Sequence, residues 1–260
     1  MIKENLERVR ERIAEAARSA GRDSSDVRLI CATKGVSAER IREAIDCGVR
    51  EIGENRVQEA QEKRHALSGA GGSLRWHLIG SLQRNKAAPA AQLFDAVHSV
   101  DSLELIEALE KQMAKREPFI LRQAQDERKL EQTTEERPGT GNRLEVLIQV
   151  NVSGEATKRG CRPEQARGLA EAVLKAKHLQ WTGLMTMAPY SENPEDSRPH
   201  FRRLRELRDE LGRALSGAGL IQADFSPELS MGMSGDFEPA VREGATMVRV
   251  GTAIFGERSA

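Results

Sequence analysis

Lys34 stands at the end of the apolar run RLICAT (28–33), where a buried strand would stop and Gly35 breaks the chain. An ammonium desolvated in the mouth of a fold has a lowered pKa and becomes a nucleophile toward carbonyls, forming a Schiff base. A lysine that packs its stem on apolar neighbours and snorkels its head to solvent satisfies the same pattern. Two C-terminal segments carry a second kind of chemistry. LSMGMSGDF (229–237) sets two glycines and the serines Ser230 and Ser234 between a strand and the Asp236-Phe237 opening of a helix, and VRVGTAIFG (248–256) puts Gly251 and Thr252 at the end of another strand. Backbone N–H groups and a serine hydroxyl converging in such loops suit an anion such as phosphate; the bland alternative is a pair of tight turns. Polar residues also end other strands: Glu54 and Asn55, His77, Ser99, Asn151 and Ser153. Of these, His77 reads as a hydrogen-bonded core histidine rather than a catalytic one.

For these strand ends to meet, the strands must run parallel around one mouth. Residues 3–20 read as an amphipathic helix, with Leu6, Val9, Ile13, Ala16 and Ala17 at the 3,4 spacing and Gly21 just past the end. Strand patterns follow at 27–33, 50–55, 75–80, 95–100, 144–153, 179–187, 228–234 and 247–256. Between them lie helical segments, the first capped by Ser37 and stopped at Gly48, the third weak and broken (82–94), the fourth capped by Asp101 or Ser102. Eight strands alternating with helices over about 250 residues predict a closed (β/α)8 TIM barrel, here with an extra N-terminal helix. An open doubly wound sheet is the runner-up; a nucleotide binder of that kind usually carries GxGxxG after its first strand, and the motif does not occur here. Residues 117–143 separate a helix from a strand by far more than the usual connection, so they read as an insertion on the N-terminal face, a polar excursion rather than a lid. The chain, 1–260, reads as a single barrel domain.

Composition removes several classes of function. Forty basic residues match forty acidic ones, so nothing in the charge balance marks a nucleic-acid partner or an anionic membrane surface. The apolar runs are far shorter than the roughly 20 residues that span a bilayer, and the charged N-terminus is unlike a signal peptide, which points to a cytoplasmic location. Cys31, Cys47 and Cys161 have neither even count nor CxxC spacing, so they read as reduced thiols, with no disulfide framework and no metal site.

A reactive lysine facing a phosphate cradle describes a pyridoxal 5'-phosphate site. The segments ATKGVSAERIREAIDCG, IGENRVQEA, WHLIGSLQRNK, HSVDS, QVNVSGEATKRG, GLMTMAP, LSMGMSGD and VRVGTAIFGER closely resemble the YggS/PROSC family of pyridoxal phosphate homeostasis proteins, over nearly the whole chain except the insertion. The resemblance implies the barrel of the alanine racemase N-terminal domain, fold type III among pyridoxal phosphate proteins, preceded by an extra helix. It implies that Lys34 holds the cofactor as a Schiff base, that Ser234, Gly251 and Thr252 hold its phosphate with Met231 and Gly232 in the same loop, that Arg249 faces the pyridine nitrogen and that Asn55 lines the pocket. An arginine does not give up its proton, so it leaves that nitrogen unprotonated and the cofactor a weak electron sink. A surface ion pair is the alternative for Arg249. Arg56 and Ser81 depart from the family's GENY and GHLQ. The function so implied is a non-catalytic one, storing, buffering or delivering the cofactor and affecting amino-acid and keto-acid balance, with pyridoxal phosphate-dependent apoenzymes as partners and a monomer or weak homodimer as the assembly. An amino-acid racemase is the alternative. It needs a second acid/base opposite the lysine, supplied in alanine racemases by a tyrosine of an added domain, whereas Tyr190 is the lone tyrosine here. A cofactor-free Schiff-base aldolase is a third reading of the same lysine.

Overall fold

Parallel strands with helices between them dominate the computed structural model, which describes residues 1–69, 73–127, 143–155 and 157–257, the side chains of 116–127 excepted. The strands are β1 (Arg28–Ala32), β2 (Glu51–Glu54), β3 (Arg75–Leu78), β4 (Ala96–Val100), β5 (Leu144–Gln149), β6 (Leu179–Met185), β7 (Glu228–Met233) and β8 (Met247–Val250). They close in sequence order, β8 returning to pair with β1 through Cys31 and Val250. The helices are α1 (Ile2–Ser19), α2 (Ala38–Asp46), α3 (Val57–Ala66), α4 (Ala87–Leu93), α5 (Leu103–Glu127), α6 (Ala166–Lys175), α7 (Arg198–Gly217), α8 (Phe237–Arg242) and α9 (Thr252–Phe255). This is the (β/α)8 barrel with an extra first helix that the alternation implied.

Alternate residues of each strand face opposite ways, and the two faces are filled differently. The outward face joins the helices in one continuous core, which includes Cys31, Ile52, Leu78, Val146 and Val248 from strands and Ile41, Phe94, Leu109, Phe201 and Phe237 from beyond them. The inward face holds a small separate apolar cluster, Ile30, Leu147, Met185 and Met247. The rest of the interior is polar: His77, His98, Ser230 and Arg249 are all at most 3% exposed.

The extra helix braces the site from behind. Its buried face is the one expected, with Ile2 added. Arg12 donates from Nε to Glu238 Oε1 at 2.7 Å and lies over the Phe237 ring, while Asn5 donates to the Ile254 carbonyl at 2.9 Å. α1 is thus tied to α8 and α9, the helices that follow β7 and β8.

Three details differ from the sequence reading. Ser37 occupies the N-cap position of α2, but its hydroxyl makes no cap bond. β5 ends at Gln149, leaving Asn151 and Ser153 in the turn beyond. α5 continues to Glu127, so the stretch expected as an insertion from 117 is helical for its first eleven residues; residues 128–142 lie outside the described ones.

Candidate functional site

β1 gives way at Ala32 to a turn built by its neighbours. Thr33 donates its N–H to the Gly53 carbonyl at 2.9 Å and its hydroxyl to Glu54 Oε1 at 2.6 Å. Gly35 follows with φ of 71°, a conformation that suits glycine. Lys34, between them, is half-buried, and among the described residues its ammonium meets no hydrogen-bond or ion-pair partner. The turn is pinned from beneath by a second lysine. Lys63 Nζ donates to the Thr33 carbonyl at 2.5 Å, to Glu54 Oε1 at 2.7 Å and to Glu59 Oε1 at 2.6 Å, and Glu59 accepts the Gly35 N–H at 2.5 Å. The peptide units on both sides of Lys34 therefore hang on one buried lysine and its carboxylates. Burial pushes the Glu54 carboxyl up despite its bonds from Lys63 and Thr33. Burial works the same way on Glu59, but the Lys63 and Gly35 hydrogen bonds outweigh it and hold that carboxyl below its usual range.

Across the mouth, β7 and β8 supply donors. Ser234 Oγ accepts the N–H of Gly251 at 3.2 Å and of Ala253 at 3.3 Å, which leaves its own proton free to donate outward. Among the described residues, no protein acceptor meets the N–H of Ser234, Gly235 or Thr252. The loop is shaped by glycine: a Cβ on Gly251 would lie 2.9 Å from the Ala32 carbonyl, and one on Gly232 would lie 2.7 Å from Ala240 Cβ. Thr252 is exposed at the rim. Met231 is fully buried in the core between sheet and helices, so its side chain packs away from the mouth. Asp236 ties the loop, accepting the Met233 N–H at 2.6 Å; burial raises its carboxyl, offset in part by that bond.

Arg249 is 3% exposed and belongs to no surface ion pair. It donates Nη1 to Ser230 Oγ at 2.6 Å and Nη2 to the Thr186 carbonyl at 2.9 Å. Burial pulls its pKa down to about 10, with Asp236 opposing, so the guanidinium stays charged at neutral pH. Asn55 is half-buried just past β2, and the backbone of Gly80 passes so close that a Cβ there would sit 2.3 Å from the Asn55 carbonyl. Arg56 and Ser81, the departures from the family pattern, are exposed.

The mouth therefore offers an amine without a partner among the described residues, a set of anion donors and a buried cation on neighbouring strands. It can hold a carbonyl at the first, a phosphate at the second and a neutral ring heteroatom at the third. Thiol chemistry does not compete, because burial pushes Cys31 and Cys161 up to about 12. No group of side chains among the described residues could hold a metal ion, and no described helix is long and apolar enough to cross a membrane. Sequence reading missed Lys63 and His98. Lys63 had a signal: with Val57 and Ala60 it keeps the three-residue spacing of the buried face of α3.

Known proteins resemble this chain over nearly its whole length. The family model of the alanine racemase N-terminal domain matches residues 4–259. A pyridoxal phosphate homeostasis protein of Aquifex aeolicus is 44% identical over 255 residues, covering 98% of this chain and 97% of its own, and one of Pseudomonas aeruginosa is 40% identical, covering 99% and 96%. The structure of PipY from Synechococcus elongatus with pyridoxal phosphate bound is 32% identical with a TM-score of 0.75, covering 98% of this chain and 100% of that one. An alanine racemase of Clostridium difficile, at 14% identity and a TM-score of 0.63, shares the fold. The chain belongs to the alanine racemase N-terminal domain family and, within it, to the pyridoxal phosphate homeostasis proteins.

Proposed function

We propose that this chain, as one domain, binds pyridoxal 5'-phosphate and acts in its homeostasis, storing, buffering or delivering the cofactor and so affecting amino-acid and keto-acid balance. The observation that carries this reading is the convergence at one barrel mouth of a half-buried lysine and a loop in which the Ser234 hydroxyl proton and the N–H groups of Ser234, Gly235 and Thr252 meet no acceptor among the described residues, where the lysine ammonium also meets no partner. The residues fit the cofactor: Lys34 is its covalent anchor, Ser234, Gly251 and Thr252 take the phosphate, Gly232 and the backbone of Met231 shape that loop, Asn55 lines the pocket and Arg249 faces the ring nitrogen. When bound, the group supplies an aldehyde for the lysine and an electron-accepting ring. A charged guanidinium beside that ring leaves its nitrogen unprotonated, which weakens the cofactor as an electron sink and disfavours extensive carbanion chemistry. The exposure of Tyr190, 89% in the loop after β6, also weighs against the racemase reading, which wants a second acid/base close to the ring. Pyridoxal phosphate-dependent apoenzymes are the partners such a cytoplasmic carrier serves, as a monomer or weak homodimer.

The test is the near-visible spectrum of the purified protein with added cofactor, before and after borohydride, with peptide mapping of the adduct. The expected result is a band that collapses on reduction into an adduct on Lys34 and is absent in Lys34→Ala. An adduct mapped to another lysine would reassign the anchor, and no band at all would favour a cofactor-free barrel. Ser234→Ala should weaken retention by about 1–3 kcal/mol, the worth of a hydrogen bond to a charged group.

A further inference from the structure

Buried polar side chains run in file through the barrel from its mouth to its floor. Arg249 Nη1 reaches Ser230 Oγ at 2.6 Å; Ser230 Oγ lies 2.8 Å from His98 Nδ1; His98 Nε2 lies 3.0 Å from His77 Nδ1; and His77 Nε2 is bonded to the Glu51 carboxylate. With both imidazoles neutral, the two ends fix the direction of every link. A guanidinium has only donors, and an ionised carboxylate only accepts. Ser230 therefore accepts from Arg249 and gives its proton to His98 Nδ1. His98 gives its Nε2–H to His77 Nδ1, and His77 gives its Nε2–H to Glu51. Both imidazoles are then Nε2–H tautomers, and this arrangement of protons satisfies the whole file. Complete burial also keeps His98 neutral, pushing it well below the usual histidine range, with the Arg249 charge adding to the effect.

Such a file is costly as mere filling. Ile30, Leu147, Met185 and Met247 show that the same interior accepts apolar side chains, and polar groups buried in place of apolar ones stabilise a fold only when every member is bonded. What the file supplies is orientation. Arg249 is buried with no carboxylate in direct contact among the described residues, and two of the five N–H donors of an arginine are spent on Ser230 and Thr186. Those two bonds lock the guanidinium plane, and the Ser230 bond is polarised by a chain ending in a negative charge.

We propose that Ser230, His98, His77 and Glu51 are positioning residues that hold the Arg249 guanidinium in one orientation at the barrel mouth, so that its remaining N–H groups meet the ring nitrogen of the bound cofactor. This rests on the reading of Arg249 as the partner of that ring. The first readout needs no cofactor. Nitrogen-15 NMR of the cofactor-free protein at neutral pH should show His77 and His98 as Nε2–H tautomers and slowly exchanging Arg249 Nη protons, which Ser230→Ala should make exchange and average fast. A cationic or Nδ1–H His98 would overturn the proposal.

The second readout uses pyridoxal phosphate itself. Ser230→Ala is expected to bind it about tenfold more weakly, the scale of one lost hydrogen bond to a charged group, and to shift its near-visible absorption maximum. Borohydride should still label Lys34. Should Ser230→Ala not fold, Glu51 at the floor offers a pair of variants: Glu51→Leu breaks the file and should shift the spectrum, whereas Glu51→Gln keeps an accepting oxygen for His77 and should restore it. A loss of thermal stability with affinity and spectrum unchanged would make the file core filling and sink the proposal. Failure of wild-type protein to take up cofactor would strike the functional reading alone, since the tautomers and the Arg249 exchange are read without it.

Discussion

Taking away the Lys63 ammonium would leave Glu54 and Glu59, beneath the turn that carries Lys34, without the ion pair they share. Glu54 is fully buried and one of its oxygens has no hydrogen-bond partner among the described residues. Lys63→Met is expected to destabilise the fold by about 3–5 kcal/mol, the usual cost of breaking a buried pair on one side. The loss has a pH signature. Burial raises the Glu54 carboxyl in the folded state, so the native protein holds that proton more tightly than the unfolded chain does; stability associated with it is present at acid pH and lost as pH rises through the folded value. Without Lys63 that value climbs further. Chemical unfolding of Lys63→Met and wild type should therefore diverge more at pH 8 than at pH 5, and an equal gap at both would show that Glu54 is compensated elsewhere. The freed Thr33 carbonyl should also loosen the hold on cofactor. Residues of this kind are half-legible in sequence. The strand-end position of Lys34 follows from the apolar run that stops there, but the bond from Lys63 to Thr33 joins positions thirty apart, which no local spacing encodes.

Loops after β7 and β8 face the mouth because the helices that follow them are clamped by α1, and glycine lets the backbones close up. Gly232 has φ of 92°, and a Cβ there would meet Phe237 Cα at 2.9 Å as well as Ala240 Cβ. Both obstacles belong to α8 and neither is the free end of a flexible side chain. Gly232→Ala should cost at least about 2 kcal/mol, from a left-handed backbone and the clash together, and it should weaken cofactor retention because the Ser234 loop moves with α8. Differential scanning calorimetry with a cofactor titration checks both effects; an unchanged melting temperature would mean that α8 can shift freely. The strands and most helices were readable because a strand buried on both faces reads as a short apolar run bounded by turn residues and a helix carries a period of 3.6. The end of α5 was not. A residue before proline tends to leave the helical region, so the rule stops the helix at Glu117, yet the helical backbone runs past Pro118 to Glu127.

A barrel whose interior holds a buried polar file beside a small apolar cluster ties its stability to pH in a way that its balanced net charge conceals. His98 is the group that couples most plainly. It is fully buried, and burial, with His77 and Arg249 nearby, keeps it neutral far below 6.5. In the unfolded chain the same imidazole takes up a proton near 6.5. Below that pH the unfolded state binds more protons than the native one, so stability must fall as pH falls, by about 1.4 kcal/mol per unit for one such group. Other groups act in other ways. Glu51, Glu59 and Glu243 have lowered values, so their contribution persists until the pH falls into the carboxylate range; Glu228 and Asp236 have raised values and act in the opposite sense. Their sum obscures the histidine in wild type alone, and a difference between two proteins isolates it. His98→Gln keeps both an acceptor and a donor for Ser230 and His77 while removing the titration. Between pH 6.5 and 5, the unfolding free energy of His98→Gln should decline less steeply than that of wild type, by up to about 1.4 kcal/mol per pH unit. Parallel curves would mean that His98 takes up a proton inside the folded barrel, and the one-way order of donors from Arg249 to Glu51 would fall with it.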